Sequence, residues 1–168
     1  MRRAGLAIAL ALVAVSVAVG ASYYASHTAP PGSDRNPQCS DPDSISSHVY
    51  NPYRLQIIKS CIRASGVVDN ILQEADGDYH VRLALDSQYS KLTNNANDQY
   101  QNYDLVVEII CALPVTQPGP AVSACQNYTN NITIPSINHH ITVTGPYLLD
   151  KSHNNWAEIH PVYTLTIS

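Results

Sequence analysis

The stretch Ile57-Ile58-Lys59-Ser60-Cys61-Ile62-Arg63-Ala64-Ser65-Gly66-Val67-Val68-Asp69-Asn70-Ile71-Leu72 decides the fold. It is β-type along its whole length and interrupted at Gly66, where a bulge or a sharp bend is expected. Immediately after it, Asp76-Gly77 is a strong two-residue hairpin signal. The next run alternates Tyr79, Val81, Leu83 and Leu85 with His80, Arg82, Ala84 and Asp86, the period of a strand with one apolar face. Ser87 to Tyr103 is rich in Asn and Gln and reads as a polar loop. A third strand follows over Leu105 to Leu113, with Leu105, Val107, Ile109 and Cys111 on one face and Val106, Glu108 and Ile110 on the other. Pro118-Gly119-Pro120 breaks the chain, and Ala121 to Tyr128 suits a short helix with proline near its start. His140 to Leu149 gives a fourth strand, bent at Gly145-Pro146, and Trp156 to Ile167 a fifth, after a turn over Lys151 to Asn155.

The order is β-β-β-α-β-β, with a long bent first strand and one short helix between strands three and four. That is the order of an OB-fold, a five-stranded Greek-key barrel, in an all-β chain of small helical content. A glycine in the first strand fits, because that strand must curl to serve both sheets of the barrel. The rival is a small α+β sandwich built from the same elements.

The rest of the chain frames this domain. In its 168 residues, 45% are hydrophobic and 13% charged, Phe is absent and Tyr and Pro each occur 11 times. The composition argues against a large helical bundle, a multi-pass membrane protein and a strongly basic nucleic-acid binder. Residues 1–20 carry Arg2 and Arg3, an apolar run from Leu6 to Val19 and the small residues Ala18-Val19-Gly20, the pattern of an export signal. Left uncleaved and lengthened through Ala25, the same segment is an anchor, and the membrane enters only there. Removing it leaves 13 acidic residues against 7 basic ones, about −6 in all, which weakens polyanion binding further. Residues 21–52, dense in Pro, Ser, Asp and Asn, read as a surface linker, and 53–168 as the domain.

Cys39, Cys61, Cys111 and Cys125 are an even set in an oxidising location, and no pair has CxxC spacing. Pairing nearest neighbours gives Cys39–Cys61 and Cys111–Cys125, each loop worth about 3 kcal/mol in the chain-entropy model. Asn127-Tyr128-Thr129 and Asn131-Ile132-Thr133 are glycosylation sequons.

The runs Gly66-Val67-Val68, Asp76-Gly77-Asp78-Tyr79-His80-Val81-Arg82-Leu83, Leu105-Val106-Val107-Glu108-Ile109, Ile141-Thr142-Val143-Thr144-Gly145-Pro146 and Trp156-Ala157-Glu158-Ile159-His160-Pro161-Val162 resemble a family of small exported OB-like domains from archaea and bacteria. The likeness covers about the last 115 residues, one domain's length. It implies the OB-like fold and export. It carries over no catalytic residues.

Alternation also places a polar set on one face. His80 and Arg82 point away from the apolar side of the second strand, Glu108 from that of the third, and Trp156, Glu158 and His160 from that of the fifth. In an OB-fold those three strands are neighbours, and their outer face commonly takes ligands. Three readings compete for this set. The first is structural, with carboxylate pairs to imidazole and guanidinium crossing a half-buried sheet, each worth about 0.2–1 kcal/mol. The second is a metal site on His80, Glu108, Glu158 and His160, whose ligand types suit zinc. The third is a small polar ligand, such as a sugar, held by Arg82, Trp156 and His153. His139-His140 is a turn pair and a lesser metal option.

No GxSxG, HExxH, P-loop or dinucleotide fingerprint occurs. The reading is therefore an exported, non-catalytic binding module, its partner a small polar ligand or an extracellular protein. The alternative is a metal-dependent hydrolase using His80, Glu108, Glu158 and His160.

Overall fold

A computed structural model describes residues 39–168. The export signal expected over 1–20, and the linker from 21 to 38, lie outside the described residues. The elements are β1 (Leu55–Gln73), β2 (Tyr79–Leu85), α1 (Asn95–Tyr100), β3 (Leu105–Ile109), α2 (Pro120–Ala124), β4 (His140–Asp150), β5 (Trp156–Ile159) and β6 (Thr164–Ile167). Short 3-10 turns cover Pro42–His48, Pro52–Arg54 and Ser87–Leu92.

The six strands form one mixed sheet in the order β1-β2-β3-β5-β4-β6. β1 also pairs with β4, so the pairings run round five strands and return to β1. Only β3 and β5 run parallel, through Val106 opposite Glu158 and Val107 opposite Ile159. β1 is 19 residues long. Its second half pairs with β2 and its first half with β4, and Gly66 stands in both ladders, opposite Leu85 on one side and Ile141 on the other. A Cβ there would overlap the Ala84 carbonyl. The register slips lie to either side of this glycine, between Val68 and Asn70 against β2 and between Ile57 and Ile62 against β4. Extra residues of this kind increase a strand's local twist and bend it. The bulges expected at Gly66 are thus displaced onto its flanks. Gly77 makes the expected hairpin turn with φ +100°, a backbone state that L side chains resist.

The fifth strand differs from expectation. It is broken into β5, beside Tyr147–Asp150, and β6, beside Ile141–Thr144 of the same β4. Between them the chain passes through the cis bond His160–Pro161. Pro161 has no N–H to give a ladder. The next two amides turn to different neighbours, Val162 N–H donating to the Glu108 carbonyl (2.9 Å) and Tyr163 N–H to that of Thr144 (2.8 Å).

The main core comprises Ala64, Val68, Val81, Leu83, Leu105, Val107, Ile109, Ile141, Val143, Ala157, Ile159 and Val162. Its β2, β3 and β5 members are the alternate positions expected to face inward. A second cluster, Ile45, Val49, Ile110 and Cys111, covers the opposite side of the end of β3. Ile45 and Val49 come from the stretch read as linker, so its described part is packed into the fold. β3 is buried at every position.

Both expected disulfides are present, Cys39–Cys61 and Cys111–Cys125. They mark an oxidising setting. No helix among the described residues is long and apolar enough to cross a membrane.

Two stability measurements check this account. Gly66→Ala forces the β1 and β2 backbones apart and is expected to lower urea-unfolding stability by about 1–3 kcal/mol without changing the m-value. The double substitution Cys111→Ser/Cys125→Ser opens a loop with a sequence separation of 14, and is expected to cost about 3 kcal/mol in the same assay.

Candidate ligand and metal face

The polar residues of β2, β3 and β5 do share one face, but a lid formed by the region read as loop covers part of it. That region holds α1, which a polar capping box starts. The Asn94 side chain accepts from the N–H groups of Ala96 (2.8 Å) and Asn97 (3.2 Å), and the Asn97 side chain accepts from the Asn94 N–H (3.2 Å). Such reciprocal bonds satisfy the orphan amides of a helix start. Asn97 is fully buried. Its Nδ2 donates to the carbonyls of Asp104 (2.8 Å) and Ala157 (2.9 Å), and its Oδ1 accepts from the Ala157 N–H (2.8 Å). This docks α1 across the entries to β3 and β5 and delivers Gln101, just past the helix, to the sheet.

Gln101 Oε1 accepts from Arg82 Nε (3.0 Å) and faces His80 Nε2 at 3.0 Å. Arginine has only donors, so the Gln101 atom between them is an acceptor and His80 Nε2 must donate to it. The other ring nitrogen, Nδ1, lies 3.0 Å from Glu108 Oε1 and 3.7 Å from Glu74 Oε1. With both nitrogens donating, His80 is an imidazolium. Burial opposes that charge, but the Glu108 bond, the charges of Glu108 and Glu74 and the Gln101 contact outweigh it and lift the ring to about 9.

A second acid–imidazole pair lies deeper. Glu158 and His160 are 1% and 2% exposed. His160 Nδ1 meets Glu158 Oε1 at 3.1 Å, and Trp156 Nε1 donates to Glu158 Oε2 at 2.7 Å. Burial would raise the Glu158 carboxyl and lower the His160 ring, but their mutual bond and charge reverse both directions. Asp78 is also buried. Desolvation first, then the charges of Asp76 and Glu108, push its carboxyl up to about 8, although Oδ1 accepts from the Cys111 N–H at 2.7 Å.

Above these groups opens a cleft of about 500 Å³ lined by Trp156, His153, His80, Glu108, Glu74 and Asp76, and also by Arg54 and Asp150. Trp156 stacks on His153 (4.6 Å, 4° between planes) and meets His80 edge-on (5.7 Å, 84°). Asp150 is fully buried and saturated, paired with Arg54 and bonded to His153 Nδ1 (2.7 Å) and the Ser152 N–H (2.8 Å).

Of the residues singled out in the sequence, Trp156, His153, His80 and Glu108 line this cleft, while Glu158 and His160 lie behind it. Arg82 is not part of its lining. It holds Gln101 and faces Asp104, whose carboxyl is raised to about 6 by burial and by Asp69. His140 is held apart from this face, between Asp86 (3.1 Å) and Ser168 Oγ (2.8 Å). Gln101, Glu74 and Asp78 were not anticipated. Glu74 was within reach of the period-two rule, since Leu72 pairs with His80 and Glu74 is two residues on. Nothing in the local pattern marks Gln101.

Compared with family models, with curated proteins and with solved structures, the chain matches none of them.

Gln101→Leu leaves the His80 Nε2 and Arg82 Nε donors without their acceptor, and is expected to destabilise the fold by about 1–3 kcal/mol in chemical denaturation. Asp104 gives a pH test. Its folded carboxyl binds a proton more tightly than the unfolded value of 3.8 allows, so its contribution to stability falls as pH rises from about 4 to about 6 and stays low above that. Asp104→Asn should therefore raise the melting temperature more at pH 7.5 than at pH 4. An equal shift at both pH values would show that Asp104 does not titrate in this range.

Proposed function

We propose that this chain is an exported, non-catalytic binding module of OB type that holds a small polar ligand in the cleft over β2, β3 and β5. The OB reading is supported by the ring of pairings through β1, β2, β3, β5 and β4 back to β1, with α2 between β3 and β4. It also agrees with the resemblance to exported OB-like domains. Export is supported by the basic and apolar leader sequence and by the two disulfides.

The single observation that carries the ligand reading is the cleft itself. A Trp156–His153 stack stands at one wall, with carboxylates and amides around it. Aromatic bodies rimmed by fixed polar groups hold sugars and similar polar molecules, the rings covering C–H faces and the polar groups taking hydroxyls. The charges sort the ligands further. Arg54 neutralises Asp150 and His80 neutralises Glu108, so Glu74 and Asp76 are left to face the ligand. Neutral or amine-bearing sugars fit this balance, and acidic ones do not.

A metal-dependent hydrolase is the second reading. It is favoured by Glu108, Glu158 and His160, which bring ligand atoms within 4.8 Å of one another. The cleft favours binding as the leading reading.

Trp156 is the only tryptophan, so its emission reports on this cleft alone. Titration with a panel of neutral, amino and acidic saccharides is expected to give a saturable emission change with the first two groups. Calorimetry should show the affinity for amino sugars falling about tenfold in the Glu74→Gln/Asp76→Asn protein, through loss of the facing charges. Absence of any saturable change across the panel would end the sugar reading, and a preference for acidic sugars would overturn the charge argument.

A further inference from the structure

Glu108 Oε2 and His160 Nε2 are buried and find no hydrogen-bond partner among the described residues. Every other polar contact around them is fixed. Glu108 Oε1 is held by His80 Nδ1, and His160 Nδ1 is held by Glu158. Each residue therefore presents its remaining atom in a defined direction. A buried polar atom left in this way is costly, and these two belong to residues whose ligand atoms cluster together.

The strands explain why they meet. β3 and β5 run parallel with Val106 opposite Glu158. Two residues further on come Glu108, still in β3, and His160, just past the end of β5. The Val162 N–H, just beyond, donates to the Glu108 carbonyl and holds the two chains together at that level. Glu158, Glu108 and His160 thus form one triangle, each offering a ligand atom within 4.8 Å of the others.

We propose that this triangle binds one divalent transition-metal ion of the zinc type, through His160 Nε2 and Glu108 Oε2, with Glu158 orienting the imidazole. Two donors at zinc-like distances from one ion stand about 3–4 Å apart, and one ligand atom from each of the three residues lies within 4.8 Å of the others. The Trp156–Glu158–His160 relay is the outer-shell arrangement that fixes a metal-binding imidazole, in which the nitrogen away from the ion donates to a carboxylate. His80 performs the corresponding service for Glu108. An imidazole nitrogen with carboxylate oxygen selects a borderline ion such as zinc over magnesium or calcium, which take oxygen ligands.

Asp78, Glu108 and Glu158 are all buried close to His160. On binding, the ion takes the position of the Nε2 proton, which is released to solvent. Glu108 also lines the cleft above, so the ion enters from that side and its remaining coordination positions are left for water or for oxygens of a ligand. The site stands on its own geometry and does not depend on the sugar reading.

The test uses the full disulfide-bonded protein without an affinity tag, stripped with a chelator, and zinc chloride alone with no saccharide present. Calorimetry and Trp156 emission are expected to show one zinc ion per chain. His160→Gln and Glu108→Gln are each expected to weaken it about tenfold or more, and His139→Gln, at an exposed histidine, to leave it unchanged. If a buried substitution unfolds the protein, the wild-type ring decides the matter, because the His160 Nε2 nitrogen-15 resonance must move on zinc addition. No binding above the chelator-washed background would overturn the proposal. Binding that leaves the His160 resonance in place, or that survives both substitutions, would do the same.

Discussion

One strand hydrogen-bonded along both of its edges is the constraint on which the remainder of the structure depends. β1 gives its first half to β4 and its second half to β2, and near Gly66 it serves both. A flat strand cannot do this when the other strands also pair round from β2 to β4. Register slips bend it on either side of the glycine, and the missing side chain lets the neighbouring backbone approach. With β1 curled, the other strands are drawn into a closed sequence of pairings whose apolar residues fall on one side. What points the other way is then available for chemistry.

That other side carries an unusual load. Charged groups buried in pairs seldom stabilise a fold by more than their desolvation costs, yet removing one partner is severe. Here His80 with Glu108 and His160 with Glu158 form two such pairs, neighbours through the parallel ladder of β3 and β5. Their burial comes from parts distant in sequence. α1 and Gln101 close one flank and the Ile45–Val49 segment covers the end of β3. The arrangement is consistent with a site in which fixed polarity is retained for recognition at some cost to stability.

Much of this is legible in the sequence. Strict alternation in β2, β3 and β5 named both the inward set and the polar set, because a strand leaves its residues no third direction. Nearest-neighbour pairing named both disulfides. The parts that were not legible depend on side chains meeting over long distances. α1 has no apolar stripe, since its start is stabilised by asparagines and its docking by the buried Asn97. A periodicity argument sees only a polar loop there. Ile45 and Val49 lie in a stretch whose composition resembles a linker, and they are buried because a disulfide and a second cluster hold them down. The break after Ile159 follows from Pro161, whose effect on a ladder was foreseeable in kind. That the chain would rejoin the same β4 further along was not.

The parallel contact between β3 and β5 has the fewest registered pairs of any strand pairing in the ring, Val106 with Glu158 and Val107 with Ile159. Asn97 lies across that point, bonded to Asp104 at the entry to β3 and to both backbone groups of Ala157 in β5. α1 is thus a rivet through a seam, and one amide side chain does the work that missing rungs of the ladder leave undone.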